Sequence, residues 1–148
     1  MPEQTMKDLE AIRAGVQNER ALNEQEVDYL NRFRILYPKL ARSIKAELRL
    51  VPENELQQAV LDVYFKNWTE LTAPRIDAVS LLDDNTALIL EIKPTLTFQA
   101  LAQVLAYREL FRQIFSFQGT IKMGVICSTA NATNKSIAER LGISVYLV

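Results

Sequence analysis

The 148-residue chain suits one domain, and its 49% apolar content with few glycines and prolines is enough to bury a core. It has no histidine and a single cysteine, Cys127, which excludes histidine acid–base chemistry, zinc–histidine sites, cysteine metal clusters and an internal disulfide. The net charge of −1 creates no global field toward polyanions, so any catalysis falls to carboxylates, lysine, tyrosine, hydroxyls or a metal held by oxygen.

The charge is unevenly spread. Residues 1–31 carry seven acids and three bases, whereas residues 32–49 carry six bases (Arg32, Arg34, Lys39, Arg42, Lys45, Arg49) against Glu47 alone. That run reads equally well as a local basic stripe or as a solvated helix face. The polar first twenty residues predict no secretory leader, and no apolar run approaches the ~18 residues of a membrane span. With the lone cysteine, this predicts an intracellular, cytoplasmic protein without a membrane segment. A single domain over 1–148 is expected, with 1–23 a peripheral helical segment, 24–56 the N-terminal helices and 57–148 the core.

Asn23, with Glu26 three residues later, predicts a capped helix over 24–49. Its apolar stripe is Val27, Leu30, Phe33, Ile35, Leu36, Leu40, Ile44 and Leu48, and Pro38 kinks or splits it. Residues 57–65 predict a first strand, and 68–72 a short helical connection stopped by Pro74. Residues 75–82 and 86–93 predict a second and third strand around a turn at 83–85, and Pro94 ends the latter. Residues 97–115 predict the strongest helix. A strand at 120–127 follows, then a helix over about 134–141 stopped by Gly142, then a strand at 143–147. A short hairpin must be antiparallel, while strands reached through helices return by right-handed crossovers. The expected class is therefore α/β, a mixed sheet flanked by helices.

The hairpin carries the chemistry. Side chains alternate along a strand, so Glu91 and Lys93 share one face, and Asp77 joins them only if opposed residue numbers sum to an even value. A two-residue turn at Asp84-Asn85 gives an odd sum and turns Asp77 away. A three-residue turn over 83–85, with Asn85 left-handed, or a bulge in either strand, places Asp77 opposite Glu91. Two such carboxylates are hard oxygen ligands suited to Mg²⁺ or Mn²⁺, and a neighbouring lysine stabilises developing negative charge. The Ile92 carbonyl is placed to complete such a shell. A surface pair of Glu91 and Lys93, with Asp77 at a strand edge, satisfies the same spacing. Leu88-Ile89-Leu90, however, reads as a buried central strand, where end charges are costly unless paired or metal-bound. On the long helix Gln103 and Tyr107 lie one turn apart on one face.

In this order, Arg75-Ile-Asp-Ala-Val, Leu90-Glu-Ile-Lys93 and Gln103-Val-Leu-Ala-Tyr107 resemble the PD-(D/E)XK nuclease superfamily, and within it the subset with a Q-x-x-x-Y motif. The resemblance implies a restriction-endonuclease-like α-β-β-β-α-β core over roughly residues 40–128, with an extra C-terminal helix and strand. It implies a Mg²⁺-dependent deoxyribonuclease, Mn²⁺ substituting, with Asp77, Glu91, Lys93, Gln103 and Tyr107 as catalytic residues. The metal would sit on Asp77, Glu91 and the Ile92 carbonyl, with Glu47, or next Glu53, as a further carboxylate. DNA would meet Arg42, Lys45, Arg75 and Arg108, with Arg112 nearby. Ile76 stands where the name-giving proline would be. So small a domain offers little surface to DNA, so a homodimer or partner protein is expected at the N-terminal helices. Two alternatives stay open: a non-catalytic nucleic-acid-binding or assembly module on the same fold, and an unrelated α/β domain whose carboxylates lie more than ~8 Å apart, too far to share an ion.

Overall fold

The computed structural model describes residues 22–41, 43–49, 55–64, 75–83 and 85–148. Helix α1 spans Glu24–Leu36. Its Asn23 cap is reciprocal: Asn23 Oδ1 accepts from Glu26 N at 2.8 Å, and Asn23 N donates to Glu26 Oε1 at 3.2 Å. The helix does not reach residue 49. Pro38 cannot donate within it, so the chain tightens into a single 3₁₀ turn over Pro38–Leu40. Strand β1 follows at Ile44–Arg49. Its Ile44, Ala46 and Leu48 alternate with polar residues at period two and pair with Ser80, Ala78 and Ile76. Those residues satisfied a helical stripe as well as a strand, and sheet pairing decides the matter. Residues 57–65 are likewise not a strand. Residues 57–64 fall in helix α2, Glu55–Tyr64, residue 65 lies outside the described residues, and the polar Gln57-Gln58 start suits a helix better than a ladder. The expected helices over 1–23 and 68–72 fall largely or wholly outside the described residues.

The remaining elements lie close to their predicted places: β2 Arg75–Asp83, β3 Thr86–Ile92, α3 Phe98–Ile114, β4 Thr120–Cys127, α4 Ala132–Arg140 and β5 Ile143–Leu147. Thr97 caps α3 through its side chain, and Asn131 caps α4. The strands form one sheet in the order β1-β2-β3-β4-β5. β1–β2 and β2–β3 are antiparallel, while β3–β4 and β4–β5 are parallel, joined by α3 and α4 as crossovers. The order is thus an α-β-β-β-α-β core, with α2 set between the first two strands and α4-β5 added at the end.

The two faces of the sheet bury different sets. On one, α3 packs Tyr107, Leu110, Phe111 and Ile114 onto Val79, Leu81, Ala87 and Ile89, and Ile76 joins the same cluster. On the other, α1 packs Tyr29, Leu30 and Phe33 onto Ala78, Leu88, Leu90, Ile92 and Ile126. Strand β3 is therefore covered on both sides, and Ala87 through Ile92 are all buried, including Glu91. Among the described residues, no helix is long and apolar enough to cross a membrane.

The hairpin closes tightly, Asp83 pairing with Thr86, but the register shifts between Leu81 and Asp83. Beyond the bulge the pairs are Leu81 with Ala87, Val79 with Ile89 and Ala78 with Leu90. The three-residue turn is not used. Among described non-glycine residues only Ser116 has positive φ, so Asn85 is not left-handed. Instead Asn85 N donates to Asp83 Oδ1 at 2.8 Å.

Gly124, on β4, leaves no room for a side chain: a Cβ there would strike the Tyr146 ring and approach Leu90. That ring is held edge-on against Phe33 and Tyr37, with centroids at 5.1 and 5.0 Å. Gly124→Val is expected to destabilise the fold by about 1–3 kcal/mol through overpacking, measured as a lowered midpoint in urea unfolding.

Candidate active site

The bulge decides the site. Continuing the Ala78–Leu90 register by one residue puts Asp77 opposite Glu91, on the face covered by α3. Asp77 Oδ2 accepts the Ile92 backbone N–H at 2.9 Å, which pins the acid of one strand to the end of the next. Asp77 raises the Glu91 carboxyl through hydrogen bonding and through its charge, so the two acids are near neighbours.

Glu91 is only 3% exposed. Burial first, then the hydrogen bond to Asp77 and its charge, push the Glu91 carboxyl up to about 10, and Lys93 opposes this only in part. Lys93 Nζ lies 3.7 Å from Glu91 Oε1, with its side chain 40% exposed. No donor reaches Glu91 Oε2, a buried oxygen. A buried carboxylate oxygen in that position holds either a proton or a cation.

Helix α3 supplies the roof. Tyr107 is buried, and burial together with the charges of Glu91 and Asp77 holds its phenol above the usual value. One turn earlier, Gln103 presents a buried amide oxygen that accepts nothing. Asp77, Glu91, Lys93 and Tyr107 therefore gather at one end of the sheet, and Gln103 lies one turn before Tyr107 on α3. The Ile92 carbonyl belongs to the same strand end.

The expected third carboxylate is described less fully. Between the pairs Ala46–Ala78 and Leu48–Ile76, Glu47 takes the register position opposite Asp77, but its side chain lies outside the described residues. Glu53 lies outside them altogether. Among the described residues no group of three His, Cys, Asp or Glu is placed to hold a metal. One acid went unnoticed in the sequence: Glu26 of α1, whose charge also raises Glu91. It read only as half of the Asn23 cap, and nothing in its spacing points to the hairpin.

The expected basic residues scatter. Arg32 pairs with Asp28 at 2.9 Å and Arg34 bonds Asn31. The 32–49 run is not one helix face, because it spans α1, the 3₁₀ turn and β1. Arg42, and the side chain of Lys45, lie outside the described residues. Arg108 pairs with Glu109 at 3.2 Å. Arg112 donates to the carbonyls of Phe117 and Gly119, closing the end of α3. Arg75, at the start of β2, keeps a buried Nε with no partner.

The chain after Lys93 is tied down. The Pro94 carbonyl accepts from Ser128 N at 3.0 Å, Thr129 N at 3.2 Å and Ser128 Oγ at 2.9 Å. Tyr29 Oη on α1 donates to that same Ser128 hydroxyl at 3.1 Å. Both helical layers thus bear on the strand end that carries the lysine.

This architecture has counterparts. A repair endonuclease from Pyrococcus abyssi superposes with a TM-score of 0.54 at 13% identity, over 87% of this chain and 49% of that one. EndoMS, in a complex with double-stranded DNA, superposes with a TM-score of 0.50 at 12% identity, over 90% of this chain and 48% of that one. The chain has a restriction-endonuclease-like fold. It spans about half the length of both proteins. No family profile and no curated protein matches the sequence.

The raised Glu91 carboxyl has a consequence for stability. Its folded value, about 10, lies above the ordinary 4.5, so between those values the folded chain holds a proton that the unfolded chain has released. That stabilisation is fully present below the unfolded value and is lost as pH rises toward 10. Glu91→Gln, a neutral isostere, is therefore expected to be more stable than wild type in metal-free buffer at pH 8. The gap should shrink to nothing near pH 4.5, as followed by urea unfolding across pH. A constant gap would mean that Glu91 does not carry the proton.

Proposed function

We propose that this chain is a metal-dependent nuclease that hydrolyses DNA phosphodiester bonds, a PD-(D/E)XK enzyme with the Q-x-x-x-Y addition. The observation that carries the reading is the carboxyl pair itself. Asp77 and Glu91 meet on adjacent strands in a buried setting, Glu91 Oε2 has no donor, and Lys93 stands 3.7 Å away. A structural role would favour apolar residues on this strand, since buried acids are costly without a compensating cation. The proteins of like fold include a repair endonuclease and one bound to double-stranded DNA, which favours DNA as the substrate.

The donor set suits a hard divalent ion. Asp77, Glu91 and the Ile92 carbonyl would hold Mg²⁺ or Mn²⁺, with the Glu47 position next in the row. When bound, such an ion neutralises phosphate charge and lowers the pKa of its water. The chain's own residues supply the rest. Glu91 gives up its proton on entry of a cation, so affinity rises with pH. The Lys93 ammonium, more exposed than Glu91, faces negative charge accumulating on the phosphate oxygens. Gln103 Oε1 offers a buried acceptor that orients a water or an ammonium N–H, and the un-ionised Tyr107 hydroxyl offers a donor. Attack of water on phosphorus leaves a 5′-phosphate and a 3′-hydroxyl.

Cleavage of single-stranded, duplex and branched oligonucleotides in Mn²⁺ tests this reading. Asp77→Ala and Lys93→Ala are each expected to lower the single-turnover rate by about 10²-fold or more, and Gln103→Leu by about 10-fold. Equal cutting by wild type and these variants would remove the mechanism. Binding without cutting by wild type would leave an assembly or DNA-binding module on the same fold.

A further inference from the structure

Two residues outward from the carboxyls, the same register builds a second row. Arg49 is paired with Arg75. The β2–β3 ladder runs to Ala78–Leu90, beyond which Ile92 N bonds the Asp77 side chain, so Arg75 and Lys93 lie two residues outward from the two acids on adjacent strands, and Lys93 N bonds the Ile126 carbonyl and so keeps to the sheet. Each of three neighbouring strands thus holds one acid and one base two residues apart: Glu47-Leu-Arg49, Arg75-Ile-Asp77 and Glu91-Ile-Lys93. With a side-chain period of two, the acids and the bases form separate parallel rows on one face. For Glu47 and Arg49 only the register position is described.

Like charges directly opposite on neighbouring strands repel. A row of bases calls for something of opposite charge to meet it. Arg75 Nε is buried without a partner, and among the described residues no ion pair of Arg75 is found. Asp77, two residues along, accepts the Ile92 N–H. Among the described residues Lys93 has the long contact to Glu91. The missing partner is an oxyanion with more than one free oxygen, which the planar fork of an arginine grips better than a point charge does.

We propose that Arg75 is a further catalytic residue that touches the substrate: together with Lys93 it binds the non-bridging oxygens of one phosphate, the group undergoing hydrolysis. This rests on the nuclease reading above. It adds that the phosphate is held from the basic row, so Arg75 stabilises charge that grows in the transition state.

Three measurements on wild type, Arg75→Lys and Arg75→Met test it. In the absence of ligand, Arg75→Met should melt at or above the wild-type temperature, since an unpartnered donor is removed. Inorganic phosphate, compared with chloride at equal ionic strength, should raise the melting temperature of wild type and leave that of Arg75→Met unmoved. Single-turnover cleavage of duplex oligonucleotide in Mn²⁺ should fall about 10²-fold in Arg75→Met, with partial recovery in Arg75→Lys and little change in oligonucleotide affinity. Wild-type cutting by Arg75→Met, or a phosphate shift that survives in it, overturns the assignment while leaving the nuclease reading intact. A loss confined to affinity also overturns it, making Arg75 a distant backbone contact. A wild type that cuts nothing but shows an Arg75-dependent phosphate shift sinks the nuclease reading and leaves the anion site standing.

Discussion

The site depends on a single displaced residue at Leu82. Strand side chains alternate with period two, so the tight hairpin that pairs Asp83 with Thr86 would by itself send Asp77 to the face packed by α1. The bulge restores the parity. It also leaves the apolar sets coherent, because Val79, Leu81, Ala87 and Ile89 all move under α3 together with the two acids. Core and site therefore share one register. A slip in the hairpin would expose half of the α3 contacts at the same time as it scattered the carboxyls, so packing stabilises the functional geometry directly.

Placing an acid pair in a central strand has an electrostatic cost, and the surroundings show how it is contained. Glu91 lies beneath α3 in a strand covered on both faces, where a second negative charge beside Asp77 is strongly disfavoured. Burial and the neighbouring Asp77 push the Glu91 carboxyl up, and Asp77 itself accepts the Ile92 N–H. Among the described residues, three buried side-chain polar atoms lack a hydrogen-bond partner: Glu91 Oε2, Gln103 Oε1 and Arg75 Nε. Orphaned polar atoms are rare in folded proteins.

The two layers have different duties. α3 brings Gln103 and Tyr107 over the carboxyls while its other residues anchor it in the core. α1 works at a distance, through Tyr29, Ser128 and the Pro94 carbonyl, to hold the segment that follows Lys93. Pro94 lacks an N–H and so loses a ladder bond, yet its carbonyl gathers four donors from Ser128 and Thr129, which sets where the lysine strand leaves the sheet. A lysine on a frayed strand end would have many rotamers and positions to lose on meeting substrate; here the backbone beneath it is already fixed.

Local pattern alone was enough for the second half of the chain. The runs at 75–83, 86–92, 98–114, 120–127, 132–140 and 143–147 combine clear periodicity with caps and stops, and so does the acid–acid–lysine constellation with Gln103 and Tyr107 one turn apart. Parity even required an odd turn or a bulge, though it did not say which. The first half was not legible in the same way. Ile44-Lys-Ala-Glu-Leu-Arg49 fits an apolar stripe at helical spacing and an alternating strand equally well, and only pairing with β2 selects the strand. Residues 55–64 were misread for the matching reason, because their polar start carries no strand signal and a short helix has weak periodicity. Composition and spacing thus determined which residues could do the chemistry. Which charges stand beside one another, acids in one row and bases in the next, with Glu26 within electrostatic reach, was decided by register and packing between segments far apart in the chain, where sequence spacing carries no distance information.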